Sequence, residues 1–246
     1  MSGGPGVPVL MYHWVHEDPG TALSLYGVTP SAFRAQVRWL RRLRRRSLTL
    51  AALHDHMTGK ARAPRGGVVL TFDDGYVDNA ENALPVLEEA RMTATVFVVT
   101  DRAGQTNVWD AAHGDPPRPL LSWDRMRALD GKTLRFEPHS RTHPQLPTLP
   151  PERAREEIEG AKKRLEDELG RASLAFAYPH GAYDDRVEAL VREAGYAMAL
   201  TVSQGLNRPG DDPLRVRRTG VTSRDIAPTF LFKIATGYGV MGMIRS

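Results

Sequence analysis

The chain has 246 residues, a formal net charge of +4 and no cysteine, with 41% hydrophobic and 25% charged residues. That is the balance of a globular protein with a core, of a length that fits one large domain or two small ones. The missing cysteine excludes disulfides and thiolate metal sites, so any metal must be held by His, Asp or Glu.

In chain order, "MSGGPGVPVLMYHWV" lacks the charged start and long apolar run of a signal peptide. No stretch of about 18 apolar residues predicts a membrane span. If Met1 is the native start, a cytoplasmic protein is expected, with the inner membrane face as a further place of action. Residues 7–13 read as a strand and 29–46 as a helix with Thr29 or Ser31 near its N-cap. Its run "RWLRRLRRR", 38–46, reads as a solvated face with Trp39, Leu40 and Leu43 turned inward. Contact with nucleic acid or an anionic membrane is the other reading, but interleaved aromatics and a nucleic-acid motif are missing.

Residues 67–75 form a buried strand, 77–91 a helix, 94–100 a second buried strand, 122–131 a helix and 134–140 a short strand. Residues 150–170 show the clearest helical pattern, with Pro and acids early and Gly170 at the end. A strand at 174–181, a helix at 184–195 and strands at 196–202 and 214–221 follow. The apolar, glycine-broken tail from 230 to 246 is expected to pack on the body rather than touch a membrane.

Alternating strands and helices argue a parallel sheet with helices outside it, and the number of units suits a (β/α) barrel. The stretches 101–120 and 203–213 read as loops over one face. Barrel chemistry lies at the C-terminal strand ends. Asp73, Asp74, His139 and His180 all fall at such ends and gather on one rim.

Why should a buried strand end in two adjacent carboxylates, Asp73 and Asp74? Like charges repel, and one is held protonated unless a cation sits between them. His139 and His143 are four apart, which on a helical turn puts both imidazoles on one face. Two His and one carboxylate with open positions make a hydrolytic or redox metal site. One aspartate then binds the cation, and the cation keeps the other ionised as a base.

"TFDDG" (71–75), "HSRTH" (139–143) and "FAYPHG" (176–181), in that order, resemble the NodB-type polysaccharide deacetylases of carbohydrate esterase family 4. The likeness runs from about Pro8 to about Val221. It implies a single NodB-like domain over 1–246 with the irregular (β/α)7 barrel of that family. It also implies removal of N-acetyl groups from an N-acetylated glycan, with Asp73 as general base and Asp74, His139 and His143 on one divalent metal. Zinc is the default, and cobalt, nickel, manganese or iron can occupy such a site. The backbone N–H of His180, fixed by Pro179 and Gly181, could help hold the oxyanion.

Two departures from the family pattern stand out. Ala177 replaces the third-motif Arg that orients the base, so another cation is needed, Arg218 first and Arg217 second. The late histidine is missing, but "PVLMYHWV" is an apolar strand ending at His13. First and last strands are neighbours in a closed barrel. The arrangement resembles the permuted poly-N-acetylglucosamine deacetylases, which makes His13 the general acid.

Trp109 and Tyr178 are candidate sugar contacts, with Tyr183 a further one, whereas Trp123 is expected in the core. His16, His54, His56 and His113 read as surface residues. No nucleic-acid partner is expected, peripheral membrane contact is allowed, and oligomeric state is not readable. The same site could serve a lipid-linked aminosugar or a non-sugar amide or imide. The missing third-motif Arg alone favours a non-catalytic carbohydrate-binding homologue.

Overall fold

The computed structural model describes residues 5–17, 26–110 and 116–239. His113 and the last residues of the apolar tail lie outside them. Strand β1, Val9–Tyr12, is buried throughout. Helix α1, Pro30–Arg42, starts where Thr29 accepts a hydrogen bond from the Ala32 N–H and buries Phe33, Gln36, Val37 and Leu40 at helical spacing. A two-residue strand β2, Arg46–Ser47, leads to α2, Leu50–Met57, capped by Thr49. Then come β3, Gly67–Phe72, a π-helical turn at Asn79–Ala83, α3, Leu84–Ala90, and β4, Ala94–Val98. The rest are α4, Trp123–Leu129, β5, Leu134–Pro138, and α5, Pro151–Leu169. After them lie β6, Ala175–Ala177, α6, Asp185–Glu193, β7, Met198–Leu200, β8, Thr219–Gly220, and α7, Ala227–Thr236.

One parallel sheet runs β5-β4-β3-β1-β8, and β2 pairs with the start of β3. A second parallel ladder joins β6 to β7, and Leu200 bridges to Val216 just before β8. Inward residues of both ladders, among them Val9, Val69, Phe97, Ala177, Met198 and Leu200, share one interior core. Outward residues of the larger sheet pack under α1, α3, α4 and α7, and those of β6 and β7 under α5 and α6. This is the α/β architecture the alternating pattern predicts.

No backbone ladder joins β5 to β6. Side chains span the gap instead. Glu137 on β5 accepts from the N–H groups of Leu174 and Ala175 at 3.0 and 3.2 Å, and His139 reaches the Ala177 carbonyl at 2.8 Å. Burial pushes the Glu137 carboxyl up to about 7, against the pull of Arg171.

Several expectations are corrected. Leu43 is 49% exposed, since it is the C-cap residue past the last helical position of α1 and leaves the helix's buried face. His56 is fully buried. The Ala63 N–H donates to its Nδ1, so Nε2 carries the proton and donates to the Pro5 carbonyl, pinning the N-terminal segment. His16 is exposed and His54 half-buried. The strands expected at 67–75, 174–181 and 214–221 are shorter, since turns that carry site residues replace their ends. Helix α2 was not anticipated.

The tail packs, as expected, through α7: Phe230 meets Trp39 at 5.7 Å, and Lys233 donates to the Gly220 carbonyl and pairs with Asp225. Among the described residues no helix is long and apolar enough to cross a membrane.

Gly237 ends α7 at φ 76°, where an added Cβ would run into the backbone of Gly205. Gly237→Ala should therefore destabilise the protein by at least about 1 kcal/mol in urea unfolding at pH 7.

Candidate active site

The site grows from the end of β3. The ladder to β1 continues one step further, with the Asp73 N–H donating to the Tyr12 carbonyl at 2.9 Å. Asp74 and Gly75 then take φ of 74° and 81°, which turns the chain sharply. A Cβ on Gly75 would approach Val98 to 2.9 Å, so this turn requires glycine. Both carboxylates end up buried.

Each has a different answer to its charge. Asp73 is gripped by Arg218 through a two-pronged fork, Nη1 to Oδ1 at 2.6 Å and Nη2 to Oδ2 at 2.8 Å. Arg218 is wholly buried, and its Nε donates to the Thr201 carbonyl at 2.8 Å. Burial opposes ionisation of Asp73, but Arg218, with His139 and His13, outweighs it and holds the carboxyl below its usual value. Arg217 points elsewhere, to Asp211 at 2.8 Å and the Leu206 carbonyl. The cation missing at Ala177 is therefore delivered by the segment before β8.

Asp74 faces two imidazoles. Its Oδ1 lies 3.5 Å from His139 Nε2 and 3.3 Å from His143 Nε2, and donor atoms of all three lie within 4.8 Å of one another. Asp74 Oδ1 is buried without a hydrogen-bond donor among the described residues. His139 donates from Nδ1 to the Ala177 carbonyl, which leaves the Nε2 lone pair directed at the cluster. An orphaned carboxylate oxygen and a lone pair aimed at one point fit a divalent cation. Burial, and then His143, push His139 down to about 4, which favours a neutral imidazole at pH 7. Burial works against the Asp74 charge too, but the imidazoles, His143 foremost, hold its carboxyl well below the ordinary range.

His139 and His143 do not share a helical turn. They sit on a loop in which Ser140 and His143 take φ of 62° and 68°. Ser140 Oγ accepts from the His143 N–H at 2.9 Å. Glu157 on α5 accepts from the N–H groups of Arg141 and Thr142, both at 2.9 Å, and from the Thr142 hydroxyl. Sequence spacing was right about the pair and wrong about its backbone, because a single distant carboxylate shapes the loop.

A polysaccharide deacetylase family model matches residues 60–199. The chain belongs to the polysaccharide deacetylase family. YxkH of Bacillus subtilis is 27% identical over 199 residues, covering 81% of this chain and 65% of its own length. The poly-β-1,6-N-acetyl-D-glucosamine N-deacetylase of Staphylococcus epidermidis is 26% identical over 208 residues, covering 80% and 69%. The chain thus spans about two thirds of these relatives' length. The crystal structure of BC0361, a polysaccharide deacetylase from Bacillus cereus, superposes with a TM-score of 0.78 at 26% identity, covering 94% of this chain and 69% of that one.

The family match contains Asp73, Asp74, His139, His143 and His180, while His13 and Arg218 lie outside it. All seven nevertheless meet. A cleft of about 280 Å³ is lined by the two aspartates, His13, His139, His143 and His180, with Arg218 behind Asp73. His13, one residue past β1, lies half-buried at the cleft edge, its ring 4.8 Å from that of Tyr26. Trp109 stacks on the His143 ring at 4.4 Å and His180 meets it edge-on at 4.5 Å, with His180 at φ 57°.

Tyr178 is not in the cleft. It is fully buried against Tyr183, and its hydroxyl donates to the Leu214 carbonyl at 3.2 Å, so it is a core residue. Tyr183 is half-buried against it and does not line the cleft either. Trp123 packs on the core, as expected. Asp110 lines the cleft and was missed, since nothing in "NVWDAA" marks it. Asn107 and the Tyr76 hydroxyl donate to one of its oxygens at 2.7 and 3.3 Å, and burial, then Asp74, raise its carboxyl.

Removing the fork strands a buried charge. Arg218→Met should destabilise the protein by about 3–5 kcal/mol at pH 7. Ion pairing lowers the Asp73 pKa in the folded state, so its stabilisation is present above the usual carboxylate range and is lost as pH falls. The gap between Arg218→Met and wild type should narrow at pH 4 in urea unfolding, because a protonated Asp73 no longer needs a partner.

Proposed function

We propose that the chain is a metal-dependent N-deacetylase of an N-acetylated glycan, with β-1,6-linked poly-N-acetylglucosamine as the first candidate. The observation that carries this reading is the division of labour between neighbours: Asp73 forked by Arg218, and Asp74 joined to two imidazoles. The linkage comes from the named activity of the staphylococcal relative.

Asp74, His139 and His143 would hold the cation, with zinc the default for this donor set. Once bound, such a cation supplies Lewis acidity, acidifying water and polarising an amide carbonyl. Asp73 takes the proton of the attacking water. Arg218 keeps that carboxylate ionised and aims it, at the cost of lowering its basicity. His13, across the cleft, gives a proton to the departing sugar nitrogen as the C–N bond breaks, so acetate and a free amine leave. The His180 N–H, on its left-handed turn, supports the developing oxyanion. Trp109 offers a flat apolar face beside His143 for a sugar ring.

A binding-only homologue loses its one support, since Arg218 stands where the base needs a cation. A lipid-linked aminosugar or a non-sugar amide would use the same groups and remains the second reading.

Acetate release tests this on a panel of β-1,4- and β-1,6-linked N-acetylglucosamine oligomers, peptidoglycan fragments and acetylated xylan. Release should be abolished by chelator and restored by zinc or cobalt. Asp73→Asn should bind metal at full stoichiometry yet turn over about 10²–10⁴-fold more slowly. His139→Ala should lose the metal. Metal bound with no release from any panel member would overturn the glycan reading and move the search to lipid-linked and non-sugar amides.

A further inference from the structure

Beyond its end, β1 runs on as an irregular segment, His13–Val15, that carries the proposed acid. Three side chains from the helix after β3 hold that backbone. Asn79 donates from Nδ2 to the His13 carbonyl at 2.8 Å. Asp78 accepts from the Val15 N–H at 3.0 Å. Asn82 donates from Nδ2 to the Val15 carbonyl at 2.7 Å. Asn79 also donates to Asp78 at 3.1 Å, so two of the three are locked together. On the far side, Trp14 and His16 bond the backbone of Val28.

The helix carrying the three is unusual where they lie. Residues 79–83 form a π-helical turn, a widened geometry found frequently at functional sites. Asp78 and Asn79 are buried, though a helix start gains nothing from burying an acid and an amide together. Asp78 Oδ1 and Asn79 Nδ2 find partners on the segment that follows β1, while Asn79 Oδ1 has none among the described residues. The His13 ring has no comparable anchor: its Nδ1 is buried without a hydrogen-bond partner among the described residues. The ring's place therefore depends on its backbone, which these three side chains hold on one side and Val28 on the other.

We propose that Asp78, Asn79 and Asn82 form a positioning clamp that sets His13 against the Asp73–Asp74 turn. This rests on the acid role proposed for His13. The clamp belongs to the same short segment as the aspartates, "DDGYVDNAEN", so few residues separate it from the base and the cluster acid. A shift of about 1 Å in a reacting group can cost about 10²-fold in rate, so a backbone clamp is enough to matter.

A double-mutant cycle tests it, using the panel substrate with the highest turnover. Asn79→Ala should lower kcat about tenfold or more, leave KM near wild type and keep full metal stoichiometry. In a His13→Ala background, Asn79→Ala should cost nothing further, because there is no ring left to position. Asn82→Ala, which removes one bond, should behave the same way to a smaller degree and guards against a folding failure of the first variant.

If Asn79→Ala and Asn82→Ala cost as much with His13→Ala as without it, or cost nothing alone, the clamp is overturned while the acid stands. If His13→Ala alone is fully active, the acid role falls and takes the clamp with it. No release by the wild type from any panel member would remove the proposed function itself, and the clamp too.

Discussion

Two buried carboxylates on consecutive residues cannot both stay charged unless each finds its own positive partner. Most of this structure follows from that constraint. The turn at Asp74 and Gly75 splits the pair in direction, so that the two side chains seek partners on different sides. Asp73 takes a permanent cation, Arg218, whose charge does not depend on pH or on loading. Asp74 faces the His139 and His143 imidazoles in a cluster whose geometry fits a divalent cation. One carboxylate is thus satisfied by an ion pair within the chain, and the other keeps a buried oxygen without a donor among the described residues.

The same constraint explains where the site's support comes from. Arg218 has to be buried to reach Asp73, and the Thr201 carbonyl accepts from its Nε. Glu157 has to reach from α5 to shape the loop that offers His143. His139 serves twice, as a member of the cluster and as part of the side-chain seam between β5 and β6. Four of the six non-glycine residues at positive φ among the described residues, Asp74, Ser140, His143 and His180, lie in or beside this cluster. Such backbone costs free energy and persists only where the surroundings over-determine it.

Much of this was legible in the sequence. Buried strands such as Val68–Phe72 advertise themselves by continuous apolar residues, and α5 by its Pro start and Gly end. Asp73, Asp74 and His139 stood out because they fall at strand ends, and His143 because it lies four residues from His139. Arg218 could be named only because the family resemblance showed a cation missing at Ala177. Other features were hidden for physical reasons. Tyr178 sits beside a site motif, but strand alternation turns its ring outward to α6 rather than into the cleft. His56 looks polar in sequence and is buried because Ala63 and Pro5 happen to meet both its nitrogens. Glu137, Glu157 and Asp110 depend on partners distant in the chain, which a reading of local pattern does not pair.

The placement of β1 between β3 and β8 has a temporal consequence. His13 comes before Asp73 in the chain and Arg218 follows it by 145 residues, yet all three meet at one site. A nascent or clipped chain holding only the middle could bring together the histidines and Asp74, but its Asp73 would lack the guanidinium. Any such intermediate would carry the Asp74–His139–His143 cluster next to a buried carboxylate without its ion-pair partner. The Asp73 fork can therefore close only once the chain has been made as far as Arg218.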